Sequence, residues 1–153
     1  MPTQDIVRWL RHEHDDAHEL ASRLRERIAS PPRGGKERWI VELRDRFDGY
    51  GAQIRQRMAE EEKRGYLTPL LQIRPSLSGA VDVLRHEHDE LARLIELVGR
   101  SVHQLVPKHN LLLRDCCKRM EDLLCWVERH EEHENHMVLY ALVEDGGREA
   151  GAV

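Results

Sequence analysis

The stretch from Cys116 to Ala141 reads CCKRMEDLLCWVERHEEHENHMVLYA and decides the fold. Its apolar residues recur at steps of three and four, which is the spacing of one face of an α-helix. His130 and Glu134 continue the same face, because residues four apart stack on one side of a helix. The stretch therefore predicts a long helix whose buried face carries an imidazole and a carboxylate.

Three further segments have the same helical spacing, and proline and glycine separate them. The breaks between segments fall at residues 30–35, 65–79 and 106–110. Gly146-Gly147 is expected to end the last segment. Four helices of this kind with short connections predict an all-α fold, an up-down-up-down four-helix bundle. We expect this domain to span residues 1–147 and a flexible tail to follow at 148–153.

An internal repeat relates the two halves of the chain. The sequence LRHEHD occurs at Leu10–Asp15 and again at Leu84–Asp89, 74 residues later. The repeat indicates that the bundle consists of two pseudo-repeated helical hairpins. Under this interpretation, Met58 to Glu62 on the second helix correspond to His130 to Glu134 on the fourth.

Composition excludes several classes of function. Charged residues make up 34% of the 153 residues, and no apolar run approaches the roughly 20 residues of a membrane span. A net charge of -4 and an aromatic content of 5% argue against binding to nucleic acid. The three cysteines form no Cys-x-x-Cys pair, so we predict a reduced, cytoplasmic protein.

Five ionisable residues interrupt the apolar faces of the predicted helices. They are His14, Glu62, His88, His130 and Glu134. An ionised carboxylate without a partner is very costly to bury. A lone core histidine is usually a hydrogen-bonded core residue, and that remains the alternative for each position. Five coincident exceptions favour a bound metal pair, which would neutralise the carboxylates and accept imidazole lone pairs. Mixed nitrogen and oxygen ligands suit iron, manganese or zinc.

The remaining histidines are assigned by the face on which they lie. His12, His86 and His136 are predicted to be exposed, since they lie opposite the apolar face. His18 flanks that face one turn beyond His14 and is an additional candidate ligand.

At these residues the chain resembles the hemerythrin-like, or HHE cation-binding, family. The resemblance covers roughly residues 5–143, and its most specific part is HEEHEN at His130–Asn135. It implies two helical hairpins around two non-haem, carboxylate-bridged iron ions. In that arrangement the three histidines are terminal ligands and the two glutamates are bridges.

One departure from the family pattern concerns Met58, which stands where the family has a histidine. A thioether is a poor ligand for ferric iron. Three outcomes remain open: His18 replaces the missing ligand, water fills the position, or the first-hairpin site is weak. The last outcome would give a mononuclear or asymmetric centre.

The resemblance also implies a function, which is to bind or sense a small oxidant such as dioxygen, nitric oxide or peroxide. One alternative is an enzyme that uses the same centre to oxidise ferrous iron or to turn over peroxide. The other is an iron-delivery protein or a structural bundle that binds one metal ion or zinc. The expected partner is a small diatomic or peroxide ligand, with neither nucleic acid nor membrane involved. The sequence leaves the oligomeric state open.

Overall fold

The computed structural model describes the backbone of residues 3–63 and 67–151, and the side chains of residues 4–63 and 67–142. The helices are α1 (Thr3–Ala29), α2 (Lys36–Lys63), α3 (Leu67–Ile73), α4 (Ser78–His103) and α5 (Asn110–Gly151). A short 3-10 turn, Pro75–Leu77, joins α3 to α4. No strand occurs within the described ranges, so the predicted all-α class is confirmed.

The helix boundaries agree with two of the three predicted breaks. The loops at residues 30–35 and 104–109 lie where proline and glycine interrupt the helical spacing. The predicted break at 65–79 is different, because it contains α3. Leu67, Leu70 and Leu77 in this segment are buried, so its leucines add to the core instead of forming a solvated loop.

The end of the last helix also differs from the prediction. The backbone of α5 continues as a helix through Gly146-Gly147 to Gly151, although glycine is a weak helix former. Residues 152–153 of the predicted tail lie outside the described part of the chain.

The four long helices form a closed set of neighbours. α1 packs against α2 and α5, and α4 packs against the same two helices. Arg44 ties α2 to the end of α4, because its guanidinium donates hydrogen bonds to the carbonyls of Val102, His103 and Leu105 at 2.9–3.2 Å. The bond to His103, the last residue of α4, satisfies a carbonyl group that the helix end leaves without a partner. Over the residues with a described position, none of the helices is long and apolar enough to cross a bilayer.

The hydrophobic core consists of two clusters. The larger cluster runs from Ala17 to Leu24 on α1 through Trp39 to Met58 on α2, and continues on α4 and α5 up to Val127. The smaller cluster contains Ile6 and Leu10 of α1, the leucines of α3, and the facing residues of α4 and α5. On α1, α4 and α5, buried polar residues separate the two clusters along the helix. A polar layer therefore crosses the bundle between two unequal apolar parts.

Candidate metal centre

Four buried side chains meet in the polar layer. Glu61 comes from α2, His88 from α4, and His130 and Glu134 from α5. One ligand atom from each residue lies within 4.8 Å of the others, and all four residues are at most 4% exposed. Three of these residues, His88, His130 and Glu134, were predicted from the sequence. The structure therefore brings together two imidazoles and two carboxylates that could hold a metal ion.

The prediction that Glu62 faces the core is wrong, and Glu61 takes that position. At 100° per residue, Glu61 lies about 20° from Ile54 at the middle of the buried face of α2, whereas Glu62 lies about 80° from it. The side chain of Glu62 is 44% exposed and that of Glu61 is fully buried. Counting four residues on from Met58 placed the carboxylate one residue too late, since the buried face advances by alternating steps of three and four.

The shift from Glu62 to Glu61 also changes which residue of α2 corresponds to His130 of α5. Met58 belongs to the larger apolar cluster and has no place among the polar residues. Arg57 lies four residues before Glu61, as His130 lies four residues before Glu134, and its side chain is fully buried. The residue of α2 that stands four before the buried glutamate, as His130 stands on α5, is therefore Arg57 and not Met58.

Carboxylates hold the outer nitrogen of two core imidazoles. His88 Nδ1 lies 3.2 Å from Glu62 Oε1, and His130 Nδ1 lies 2.6 Å from Glu87 Oε2. A carboxylate at Nδ1 holds a proton there, so the inward-facing Nε2 atom is the nitrogen that can give a lone pair to a metal ion. This arrangement gives Glu62 a supporting contact with the centre although its side chain is largely exposed.

The inner nitrogens lack hydrogen bonds. His88 Nε2 is 2.9 Å from Glu61 Oε2, and His130 Nε2 is 2.8 Å from Glu134 Oε1. Neither contact has hydrogen-bond geometry, and within the described residues neither Nε2 atom has another partner. Buried polar atoms are normally satisfied, so two imidazole nitrogens directed at carboxylates without a bond need an explanation. A cation between them provides one, and the donor set therefore fits a metal.

His14 and His18 occupy different places on α1. His14 is buried, and its Nε2 atom lies 3.9 Å from Glu134 Oε2, beside the four-residue group. The side chain of His18 is 60% exposed, and its Nε2 atom bonds Glu131 Oε2 at 2.8 Å. His18 therefore contacts a neighbour of the centre and not the four-residue group itself.

A buried ion pair lies on the His14 side. Arg57 Nη1 donates a hydrogen bond of 2.9 Å to Glu131 Oε1, and its Nε atom lies 3.5 Å from Glu61 Oε1. Both side chains of the Arg57–Glu131 pair are at most 3% exposed. A buried charge of this kind is tolerable only with compensation, which Glu131 and Glu61 provide.

The electrostatics of the polar layer shift the pKa values of Glu61 and Glu134 in opposite directions. Burial raises the pKa of Glu61 well above its usual value, and nearby Glu134 adds to the rise. Burial opposes ionisation of both Glu134 and His130, but in the metal-free layer the protonated imidazole and Arg57 outweigh it and lower the pKa of Glu134, while Glu134 and Glu87 raise the pKa of His130. The carboxyl group of Glu61 therefore resists ionisation more than that of Glu134 while no metal ion is bound. Burial lowers the pKa of His14, which keeps its imidazole neutral.

Two surface clefts reach the layer. A cleft of about 450 Å³ between α1 and α5 has His14, His18 and Glu131 in its wall. A second cleft of about 410 Å³ between α4 and α5 reaches His130 and Glu87. Buried residues of the layer therefore form part of a cleft wall on two sides of the bundle.

Sequence reasoning missed four residues around the centre. These are Arg57, Glu61, Glu87 and Glu131. The signal for Arg57 and Glu61 was their four-residue spacing, which repeats that of His130 and Glu134. Glu131 had no such signal, since a residue next to a core histidine is usually off the buried face. The predicted exposure of His12, His86 and His136 is confirmed.

Neither a protein-family model, nor a curated protein, nor a solved structure matches the chain. The likeness to the hemerythrin-like family therefore depends on the residues of the motif.

Proposed function

We propose that this chain is a hemerythrin-like protein that holds non-haem iron among Glu61, His88, His130 and Glu134 and uses it to bind or sense a small oxidant. The observation that carries the proposal is the pair of core imidazoles. A carboxylate holds the Nδ1 atom of each imidazole, and the Nε2 atom faces a buried glutamate but itself makes no hydrogen bond within the described residues. Carboxylate–histidine pairs of this form support metal ions in proteins.

The choice of iron follows from the donor atoms and the family likeness. Two imidazoles and two carboxylates are ligands for iron, manganese or zinc, and the cysteines take no part in the group. Iron bound here would supply an open coordination position and a change of oxidation state. Dioxygen, nitric oxide and peroxide are the ligands that match such a position.

The residues of the chain have separate tasks in this proposal. Glu61 and Glu134 bind the ion, while Glu62 and Glu87 orient the imidazoles through Nδ1. The apolar clusters on either side exclude bulk water from the layer. The clefts beside His14 and His130 give a small ligand access without opening the bundle.

The proposal includes the up-down-up-down arrangement of two repeated hairpins. Contacts between α1 and α5 support it, because His18 pairs with Glu131 while Arg25, further along α1, pairs with the earlier Glu121. Later residues of α1 contact earlier residues of α5, so the two helices run antiparallel. The repeat is supported by the shared spacing of Arg57 with Glu61 and of His130 with Glu134.

The test is metal analysis and ligand binding with the full chain. Protein produced in iron-supplemented medium should retain iron after desalting, and the electron paramagnetic resonance spectrum of the ferrous form should change when nitric oxide is added. A chain that retains no metal, or only zinc with no response to nitric oxide, would contradict the proposal. Steady-state consumption of peroxide by the iron form would assign the enzymatic alternative instead.

A further inference from the structure

A permanent cation already lies within the candidate metal centre. The guanidinium of Arg57 is fully buried, donates a hydrogen bond to Glu131 and lies beside Glu61. Within the described residues, its Nη2 atom has no hydrogen-bond partner. Arginine stays protonated in proteins and has no lone pair to give to a metal. The group therefore contributes charge but cannot act as a ligand.

The place of this cation follows from the two halves of the chain. Arg57 precedes Glu61 by four residues on α2, and His130 precedes Glu134 by four residues on α5. Both members of each pair are buried. His14 on α1 and His88 on α4 complete the two halves. In the first half of the chain, the guanidinium of Arg57 therefore takes the position that the imidazole of His130 takes in the second half.

We infer that Arg57 takes the place of a second metal ion and limits the centre to one divalent cation, held by Glu61, His88, His130 and Glu134. The inference rests on the proposed function, because it presupposes that a metal binds. The charges of the layer agree with it. Three buried carboxylates and one buried guanidinium carry a net formal charge of −2. One divalent ion neutralises this charge, whereas a second would leave two positive charges without compensation in the interior.

The first test counts metal ions on the wild-type chain. The chain is loaded with excess Mn²⁺ and desalted, and its metal content is measured together with the electron paramagnetic resonance spectrum. We expect one Mn²⁺ per chain with the spectrum of an isolated ion. Two ions per chain with a spectrum of magnetic coupling would overturn the inference and leave the proposed function standing. No bound metal would overturn both.

The second test changes the cation itself. Arg57→His removes the guanidinium and adds an imidazole four residues before Glu61, so we expect the Mn²⁺ content to rise from one towards two per chain. Met58→His is the matched control, because it adds the same side chain one residue later, in the apolar cluster. Its metal content should stay at one.

Two results of the second test would overturn the inference. One is a folded Arg57→His chain that still binds a single ion. The other is a second ion in Met58→His but not in Arg57→His. If Arg57→His does not fold, the metal count and spectrum of the wild-type chain decide.

Discussion

The carboxylate of Glu134 lies next to histidines from two helices, His14 of α1 and His130 of α5. It is fully buried, with Oε1 beside His130 and Oε2 facing His14. Glu134→Gln keeps the shape of the side chain and removes its charge, so we expect metal affinity to fall by at least about 100-fold. Equilibrium competition with a chelator measures the change.

The control for this substitution lies on the same helix. His136 is exposed, and His136→Ala should leave metal affinity unchanged. A loss of metal in His136→Ala, with retention in Glu134→Gln, would show that the assignment of the buried face of α5 is wrong.

Glu87 acts on the metal through His130. Its carboxylate accepts a hydrogen bond of 2.6 Å from Nδ1–H, which fixes the imidazole with Nε2 inward. Glu87→Gln should therefore weaken metal binding by about 10- to 100-fold without changing the number of ions bound. Titration of the apoprotein with Mn²⁺ measures both quantities. Glu90→Gln, at an exposed position one turn further along α4, should have no effect, and equal effects at the two positions would contradict the role given to Glu87.

At the scale of the elements, α2 lies very close to α4 at Gly51. A Cβ atom there would lie 2.8 Å from Ile95 Cγ2, whereas a Cβ atom at Gly49 would meet nothing within 4 Å. Gly49→Ala should raise the free energy of unfolding by about 0.5–1 kcal/mol, because alanine is the better helix former. The free energy of unfolding of Gly51→Ala should be about 1–3 kcal/mol lower than that of Gly49→Ala, since buried Ile95 has little room to move. Urea denaturation of the two variants measures the difference, and equal gains would contradict the close approach.

The elements could be predicted from the sequence because their causes are local. Apolar spacing predicts the four long helices, and proline and glycine mark the loops. The same spacing placed His14, His88, His130 and Glu134 correctly on buried faces. Local reasoning failed where burial depends on a partner. Leu67 and Leu70 become buried by covering the end of the bundle. No short-range pattern in a proline-rich segment indicates this burial.

The register of the candidate centre was harder to predict than its existence. Three consecutive glutamates, Glu60 to Glu62, offer the same chemistry, and one residue changes the direction of a side chain by 100°. The sequence alone favours a solvated position for Arg57, because a buried arginine is rare without a partner. Its partner is Glu131, 74 residues away, and the sequence does not link the two.

At the scale of the whole molecule, a bound ion should stabilise the folded state. The ligands come from α2, α4 and α5, so they are correctly spaced only when the bundle is folded. With free metal at about 100 times its dissociation constant, linkage adds about 2.7 kcal/mol to the free energy of unfolding. Thermal unfolding with and without added metal measures this gain, and a melting temperature that does not depend on metal would contradict specific binding to the native chain.

The polar layer between two unequal apolar clusters has a consequence for local opening. Without a metal ion, no ligand bonds join α2, α4 and α5 at this junction, and the smaller cluster around α3 is held mainly by its own apolar packing. Amide hydrogen exchange should then be fast at the start of α4, near Val81 and Leu84, and slow near Ile95 and Val102. Added metal should slow exchange mainly near Val81 and Leu84, since the ion joins α2, α4 and α5 at the polar layer. Equal slowing in both groups would mean that the chain opens as one cooperative unit.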